Sequence, residues 1–440
     1  MKAKEFMEKN KLKEGDNIII TKNNTTYEGT IIQPSTKNLE IIKIKLKSGY
    51  NIGIKCDEKT KVQKTGETKK IGKIETQKII QNQNLPKVSI LHTGGTIASR
   101  VDYRTGAVIS TFEPEDLIAM FPEITTIANV NSKLLANIWS HDLRFSHIAK
   151  IAEEIKKEHE KGAKGIIVGT GTDNMAVAAA ATAFTLEKCP LPIIFVGSQR
   201  SSDRPSTDAA MNLICATEFI TKTDFAGVAI CMHYTSSDDK CAILPACKTK
   251  KLHSSRRDAF KAINDTPIAI VDYKTRKIEM IKKNYQKATN EKPIIKTNFE
   301  EKVALFKIHI NMSPEQFQFY LDNNYKGIVF EGTGLGHMPG NNPDKLAQEH
   351  NKIFPIIEKL DKKGCVMVMT TNTIYGRINM NVYNKGIDLM NLGIIPGEDM
   401  LPETAFVKLA WLLGNYKPEE AKKLIRKNLR GEITEFTKYY

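Results

Sequence analysis

No apolar run in this 440-residue chain approaches the roughly 18 residues that a membrane helix needs, so a spanning helix is excluded and a soluble protein is expected. The first residues, MKAKEFMEKNKLKEGD, carry positive charge with no apolar stretch behind them, which does not read as a secretory signal. Cysteine is scarce and scattered: Cys56, Cys189, Cys215, Cys231, Cys241, Cys247 and Cys365 are odd in number and lack CxxC or CxxH spacing. That argues against a disulfide framework and against a zinc site, and a cytoplasmic location with no bound metal is the expectation. Neither GxxxxGK[ST] nor a full GxGxxG is present, so nucleotide chemistry has no recognisable seat in this chain.

Arginine is missing before Arg100, yet the chain carries a net charge of +15. Residues 1–84 hold 18 Lys and no Arg against 10 Asp plus Glu, a net +8 in a fifth of the length. Lysine clusters gain affinity for phosphate by releasing counterions, so an RNA partner is one reading, and a compositional bias of lysine over arginine is the other. Within this stretch Asn17 to Thr21, Tyr27 to Ile32, Leu39 to Leu46 and Tyr50 to Ile54 alternate apolar and polar residues. Turn chemistry separates them at Lys22-Asn23-Asn24, Gln33-Pro34-Ser35 and Lys47-Ser48-Gly49. A small antiparallel β-barrel or meander over 1–70 follows, with docking to a partner protein or RNA as its expected role and a spacer or dimer contact as the alternative. Residues 71–86 read as a polar linker ending at Pro86.

From Lys87 onward short buried runs alternate with helical patterns. Val88 to His92, Gly165 to Val168, Ile193 to Val196 and Phe225 to Met232 read as strands, with helices over Phe145 to Lys161 and Asn174 to Glu187. A second block has strands Val303 to Ile308, Gly327 to Glu331 and Cys365 to Thr371, with helices Ser313 to Asn323 and Asp344 to Lys362. Such alternation implies parallel sheets covered by helices, and thus two α/β domains over 87–290 and 300–440. The polar, Lys-rich stretch Thr266 to Thr297 reads as their connection, and Pro418 to Tyr440 as a packed terminal helix.

Two strand ends carry the chemistry. Ile90-Leu91-His92-Thr93-Gly94-Gly95-Thr96-Ile97-Ala98 runs from a buried strand into paired glycines flanked by hydroxyls. Ile167-Val168-Gly169-Thr170-Gly171-Thr172-Asp173-Asn174 repeats the theme with a carboxylate. Ligands of open α/β sheets sit beyond the carboxyl ends of the strands, and glycines there let backbone approach closely. The plain readings are a turn without a chemical role and an Asp173 that only caps a helix. Threonine is a weak nucleophile until a neighbouring base takes its proton, and a lysine held beside an aspartate is one such base. His92 reads as a core histidine with its ring satisfied, and His337 as a strand-end residue able to line a site.

Thr93-Gly94-Gly95-Thr96-Ile97-Ala98 and Gly171-Thr172-Asp173 resemble the two signature segments of the L-asparaginase family, whose members hydrolyse side-chain amides through a threonine. Ser140-His141-Asp142, Val196-Gly197-Ser198-Gln199-Arg200, Lys248 to Phe260 and Arg377-Ile378-Asn379-Met380 extend the likeness over about 85–440. The resemblance implies Thr96 as nucleophile, with Thr172, Asp173 and a lysine as a second set. Lys251 is the lysine picked by its spacing from Phe260, with Lys248 and Lys250 as close neighbours. It further implies Gly95, Ser140, His141, Thr172 and Asp173 as substrate-binding positions and Tyr103 as a mobile-loop tyrosine that orients the nucleophile. The basic module, Ser254-Ser255-Arg256-Arg257-Asp258-Ala259-Phe260 and Ile395-Pro396-Gly397-Glu398-Asp399-Met400-Leu401-Pro402 make the whole chain similar to the archaeal glutamyl-tRNA(Gln) amidotransferase D-subunit family.

That resemblance implies a division of labour. This chain would release ammonia from glutamine or asparagine and pass it to the amidotransferase E subunit, which holds ATP and Mg2+ and converts Glu-tRNA(Gln) to Gln-tRNA(Gln). A homodimer of this chain inside a heterotetramer is implied, with no cofactor of its own. The rival expectations are a free-standing cytosolic L-asparaginase with an accessory domain and a non-catalytic binding protein on the same scaffold.

Overall fold

The computed structural model describes residues 2–32, 40–46, 51–67, 82–95, 99–101, 108–110, 121–200, 207–341 and 344–436. The polar stretch read as a linker over 71–86 lies largely outside them.

The N-terminal module is a five-stranded antiparallel sheet built from β1 (Asp16–Lys22), β2 (Thr25–Ile32), β3 (Ile41–Leu46), β4 (Asn51–Lys55) and β5 (Lys61–Glu67). Its order is β4-β3-β2-β1-β5, a meander whose last strand returns beside the first. Period-two alternation sends Ile18, Ile20, Ile31, Ile42, Ile44 and Ile54 to one buried face. The β1 to β2 turn forms because Asn23 and Asn24 both take positive φ, which asparagine tolerates better than most residues. A short helix α1 (Ala3–Lys9), unexpected from the sequence, lays Phe6 and Met7 on that face. Seven residues are too few for a clear helical period, so its role is visible only once the sheet is there to cover.

The body begins with β6 (Lys87–His92), β7 (Asn129–Leu134), α2 (Phe145–Glu160), β8 (Gly165–Gly169), α3 (Met175–Thr185), β9 (Pro192–Val196), α4 (Ala209–Lys222) and β10 (Gly227–His233). Strands β7-β6-β8-β9-β10 pair in parallel in that order. From β6 the chain moves outward to β7, then crosses back through α2 to β8 on the other side of β6. The loops after β6 and β8 therefore depart in opposite senses from adjacent strands, the arrangement that opens a crevice in such sheets. The sheet is not purely parallel as expected: β11 (Lys240–Pro245), β14 (Ala269–Asp272) and β15 (Ile278–Met280) extend it antiparallel beyond β10. The stretch Thr266 to Thr297 is thus partly sheet edge, its polar residues facing solvent, rather than only a connection. Between β11 and β14 a separate ribbon pairs β12 (Thr249–Lys251) with β13 (Phe260–Ala262).

The second α/β domain is a four-stranded parallel sheet in chain order, β16 (Val303–Lys307), β17 (Gly327–Gly332), β18 (Val366–Thr371) and β19 (Ile394–Pro396). Helices α5 (Pro314–Asp322) and α6 (Ile353–Lys362) cover one face, and Ser313 caps α5 as its sequence suggests. The helix expected over 344–362 is broken, a 3-10 segment Lys345–Lys352 preceding α6 with non-helical dihedrals at Ala347. After α7 (Asn384–Asn391), α8 (Pro402–Asn415) packs against α3 between the two sheets. Alanines 178–181 and 183 keep α3 slim enough to be buried on several sides, and Phe184 stacks on Trp411 of α8. One continuous core therefore runs through both domains. The tail is not the single helix expected: α9 (Pro418–Leu424) spans seven residues and the chain then proceeds as turns to residue 436.

Candidate active site

The strand ends at the crevice are held together by backbone. Thr93 donates its N–H to the Gly169 carbonyl at 2.9 Å, and its buried hydroxyl lies 3.0 Å from that of Thr170. Gly95 has φ +79, and a Cβ there would overlap the backbone N and Cα of Gly171. A Cβ on Gly171 would in turn lie 3.0 Å from Ser140 Oγ. The glycines are required by close approach: the loops after β6 and β8 touch main chain to main chain, with Ser140 against the second.

Beyond Gly171 the chain turns into α3, and the turn displays Thr172 and Asp173. Lys251 Nζ donates to Thr172 Oγ1 at 2.9 Å and to Asp173 Oδ1 at 2.7 Å. Thr172 is buried, the Lys251 side chain keeps 12% of its surface and Asp173 keeps 71%. The cluster faces solvent through its carboxylate and shields its amine and hydroxyl. Thr172 Oγ1 also approaches Gln199 Oε1 at 3.4 Å, so the hydroxyl has an acceptor for its own proton while it accepts from the amine. This geometry lets a proton move between Thr172 and Lys251 with Asp173 balancing the charge.

The neighbouring lysines are engaged elsewhere. Lys248 is fully buried, paired with Asp399 at 2.7 Å, and burial lowers its pKa despite that partner. Lys250 reaches Glu403. Of the three, Lys251 alone touches the Thr172 and Asp173 pair among the described residues.

Ser140 is buried beside the cluster, its Oγ accepting the Asn174 N–H at 3.3 Å and its carbonyl accepting from Asn174 Nδ2 at 3.1 Å. His141 stands largely exposed, stacked parallel to Trp139. A 480 Å³ cleft beside Ser140, His141 and Asn174 runs between α3 and Phe406 of the second domain. A smaller cavity of 90 Å³ lies on the Lys251 side, against Leu401, Glu403 and Thr404. The candidates Thr96 and Tyr103 lie outside the described residues.

Two residues given no role from sequence shape the site. Gln199, quoted there only within the segment Val196 to Arg200, follows β9, the strand beside β8. Asp208 is fully buried at the start of α4 and accepts the N–H groups of Gln199 and Arg200 at 2.9 to 3.0 Å, fixing the turn that carries Gln199.

His92 departs from its reading as a satisfied core histidine. His92 is buried, but neither ring nitrogen has a hydrogen-bond partner among the described residues, and burial pushes its pKa down to about 4. It is a core histidine, but not a satisfied one: its strand neighbours on that face are apolar. His337 packs edge-on against Tyr383 at the end of β17 and is absent from the lining of the cavities beside Lys251 and Ser140. His253, exposed, closes a turn by accepting the N–H groups of Ser255 and Arg256. No group of three or more potential metal ligands exists among the described residues.

Three family models match: the asparaginase N-terminal domain over residues 87–286, the glutaminase/asparaginase C-terminal domain over 302–425, and the GatD N-terminal domain over 12–64. The glutamyl-tRNA(Gln) amidotransferase D subunit of Pyrococcus abyssi is 43% identical, aligned over 100% of this chain and 99% of its own. That of Methanococcus maripaludis is 44% identical over 96% and 98%. The chain belongs to the glutamyl-tRNA(Gln) amidotransferase D-subunit family. Its body is also similar to the solved L-asparaginase of Thermococcus kodakarensis, with a TM-score of 0.67 and 26% identity over 79% of this chain and 99% of that one. The asparaginase likeness thus spans the α/β body, and the N-terminal sheet has its own match within the D-subunit family. The α/β fold read from the strand and helix alternation, with an antiparallel module before it, agrees with these relatives.

Proposed function

We propose that this chain hydrolyses the side-chain amide of glutamine or asparagine and supplies the ammonia to a partner, the amidotransferase E subunit, which amidates Glu-tRNA(Gln). The observation that carries the reading is the contact of Lys251 with Thr172 and Asp173 at the crevice of the large sheet. Thr96, next in sequence to Gly95, attacks the amide carbon and gives its proton to a base; ammonia leaves with a proton, and an acyl-threonine ester remains. Thr172 and Lys251 then take a proton from water as it opens the ester. Gly95, Ser140, His141, Asp173 and Tyr103 hold the α-carboxylate and α-amine or orient the nucleophile.

ATP and Mg2+ belong to the partner, because no nucleotide motif is present in this chain. The assembly is a homodimer of this chain carrying two E subunits, in the cytoplasm; among the described residues no helix is long and apolar enough to cross a membrane. The test is ammonia release from glutamine and from asparagine by the chain alone, then with partner, ATP and Glu-tRNA(Gln), beside Thr96→Ala. Stimulation by the full mixture and loss in the variant are expected. Fast asparagine hydrolysis indifferent to tRNA would instead make it a free-standing asparaginase.

A further inference from the structure

Lys251 does not stand on the large sheet. Among the described residues its strand β12 pairs only with β13, three residues to three, in a ribbon outside both main sheets. An isolated pair of this length is marginal and takes its position from what holds its ends. The holding group is Lys248, three residues before Lys251 and fully buried. Its ammonium contacts the Asp399 carboxylate at 2.7 Å and the Asp399 carbonyl at 3.0 Å, while Thr404 of α8 donates to the Cys247 carbonyl at 3.0 Å. Asp399 is itself completed by the tail: the Thr434 N–H donates to Oδ1 at 3.0 Å and the Thr434 hydroxyl to Oδ2. Arg377 clamps the same tail through the carbonyls of Thr434 and Glu435.

We propose that the buried Lys248–Asp399 pair, closed by Thr434 of the C-terminal tail, is a positioning device for Lys251, so that seating of the tail sets whether the amine reaches Thr172. A buried ion pair adds little net stability over apolar residues of similar size, and fixing one geometry is its better-attested use. The pair joins the ribbon of the first domain to the segment Ile395–Pro402 and the tail of the second, making the amine's place a property of both domains. The inference rests on the reading of Lys251 as the amine of the site.

The test uses the full chain with its partner, ATP and Glu-tRNA(Gln), and compares Thr434→Val, Thr434→Ser, the charge-free double variant Lys248→Met with Asp399→Met, and Lys251→Met. A displacement of the amine by an ångström costs on the order of 10- to 100-fold in kcat. That loss is expected for Thr434→Val and for the double variant, with KM within about threefold of the parent because substrate-holding groups are untouched. Thr434→Ser, which keeps the hydroxyl, is expected to retain the parent kcat. Folded Thr434→Val and double variants with parental kcat overturn the proposal, as does a Thr434→Ser as impaired as Thr434→Val. If the double variant fails to fold, Thr434→Val, which leaves both charges in place, decides alone. An active Lys251→Met would remove the reading of the site itself; an inactive one beside parental tail variants would remove only the positioning role.

Discussion

Lys251 Nζ and Thr172 Oγ1 lie 2.9 Å apart although 79 positions separate them in the chain. The relationship joins a ribbon and a helix-entry turn that share no sheet. A hydroxyl and an amine in this contact can exchange a proton, the couple the proposed function uses, and Asp173 at 2.7 Å keeps the amine in place.

Replacing that amine removes the couple. Lys251→Met is expected to lower amide hydrolysis by about 10²- to 10⁴-fold, the usual worth of a positioned acid-base group. Lys250→Met breaks a half-exposed pair with Glu403, worth about 0–1 kcal/mol, and is expected to cost less than about fivefold. Steady-state ammonia release by the two variants separates the neighbours.

Gly95→Ala tests the contact of the two strand-end loops. The methyl overlaps Gly171 backbone, and the φ of +79 disfavours any side chain. Overpacking against main chain costs about 1–3 kcal/mol and the left-handed conformation about 1–2 more. A lower unfolding midpoint together with lost amide hydrolysis is expected, read by thermal denaturation and the ammonia assay.

His92 makes stability depend on pH. Its pKa is held down to about 4 by burial, while an unfolded histidine titrates near 6.5. As pH falls between these values the unfolded chain binds a proton that the folded chain refuses. Its contribution is therefore complete above about pH 6.5 and declines toward pH 4, by on the order of 3 kcal/mol. His92→Leu is expected to flatten the unfolding midpoint over this range, and an unchanged slope would refute the assignment.

Lys408 and Glu432 form a second buried pair at 2.6 Å, and the lysine also donates to the Ile425 and Lys427 carbonyls. Lys408→Met strands the Glu432 carboxylate in the core, and about 3–5 kcal/mol of stability is expected to be lost. Limited proteolysis after residue 425 at native temperatures would report whether the tail is released first.

Much of this architecture is legible in the sequence. The alternation from Lys87 onward specifies buried strands and covering helices because period two and period 3.6 leave different marks on sequence. The glycines at 95 and 171 announce close approach for a similar reason: a Cβ on Gly95 would overlap the Gly171 backbone, and one on Gly171 would crowd Ser140. What escaped was short or non-local. Helix α1 has too few turns to show a period, β14 and β15 are only four and three residues long inside an otherwise polar stretch, and the tail is ordered by buried ion pairs rather than by helical pattern.

The sequence by itself determined which residue types stand at the strand ends, and the family resemblance implied that one of three nearby lysines serves them. Composition and local period are properties of neighbours along the chain, and hydroxyl, carboxylate and glycine at 170–173 are such neighbours. Only the tertiary structure brings Lys251, the lysine picked by its spacing from Phe260, against Thr172 and spends Lys248 on Asp399. Those choices depend on how a three-residue ribbon is seated between two domains. Its seat is fixed by contacts from residues about 150 positions away, which no local pattern encodes.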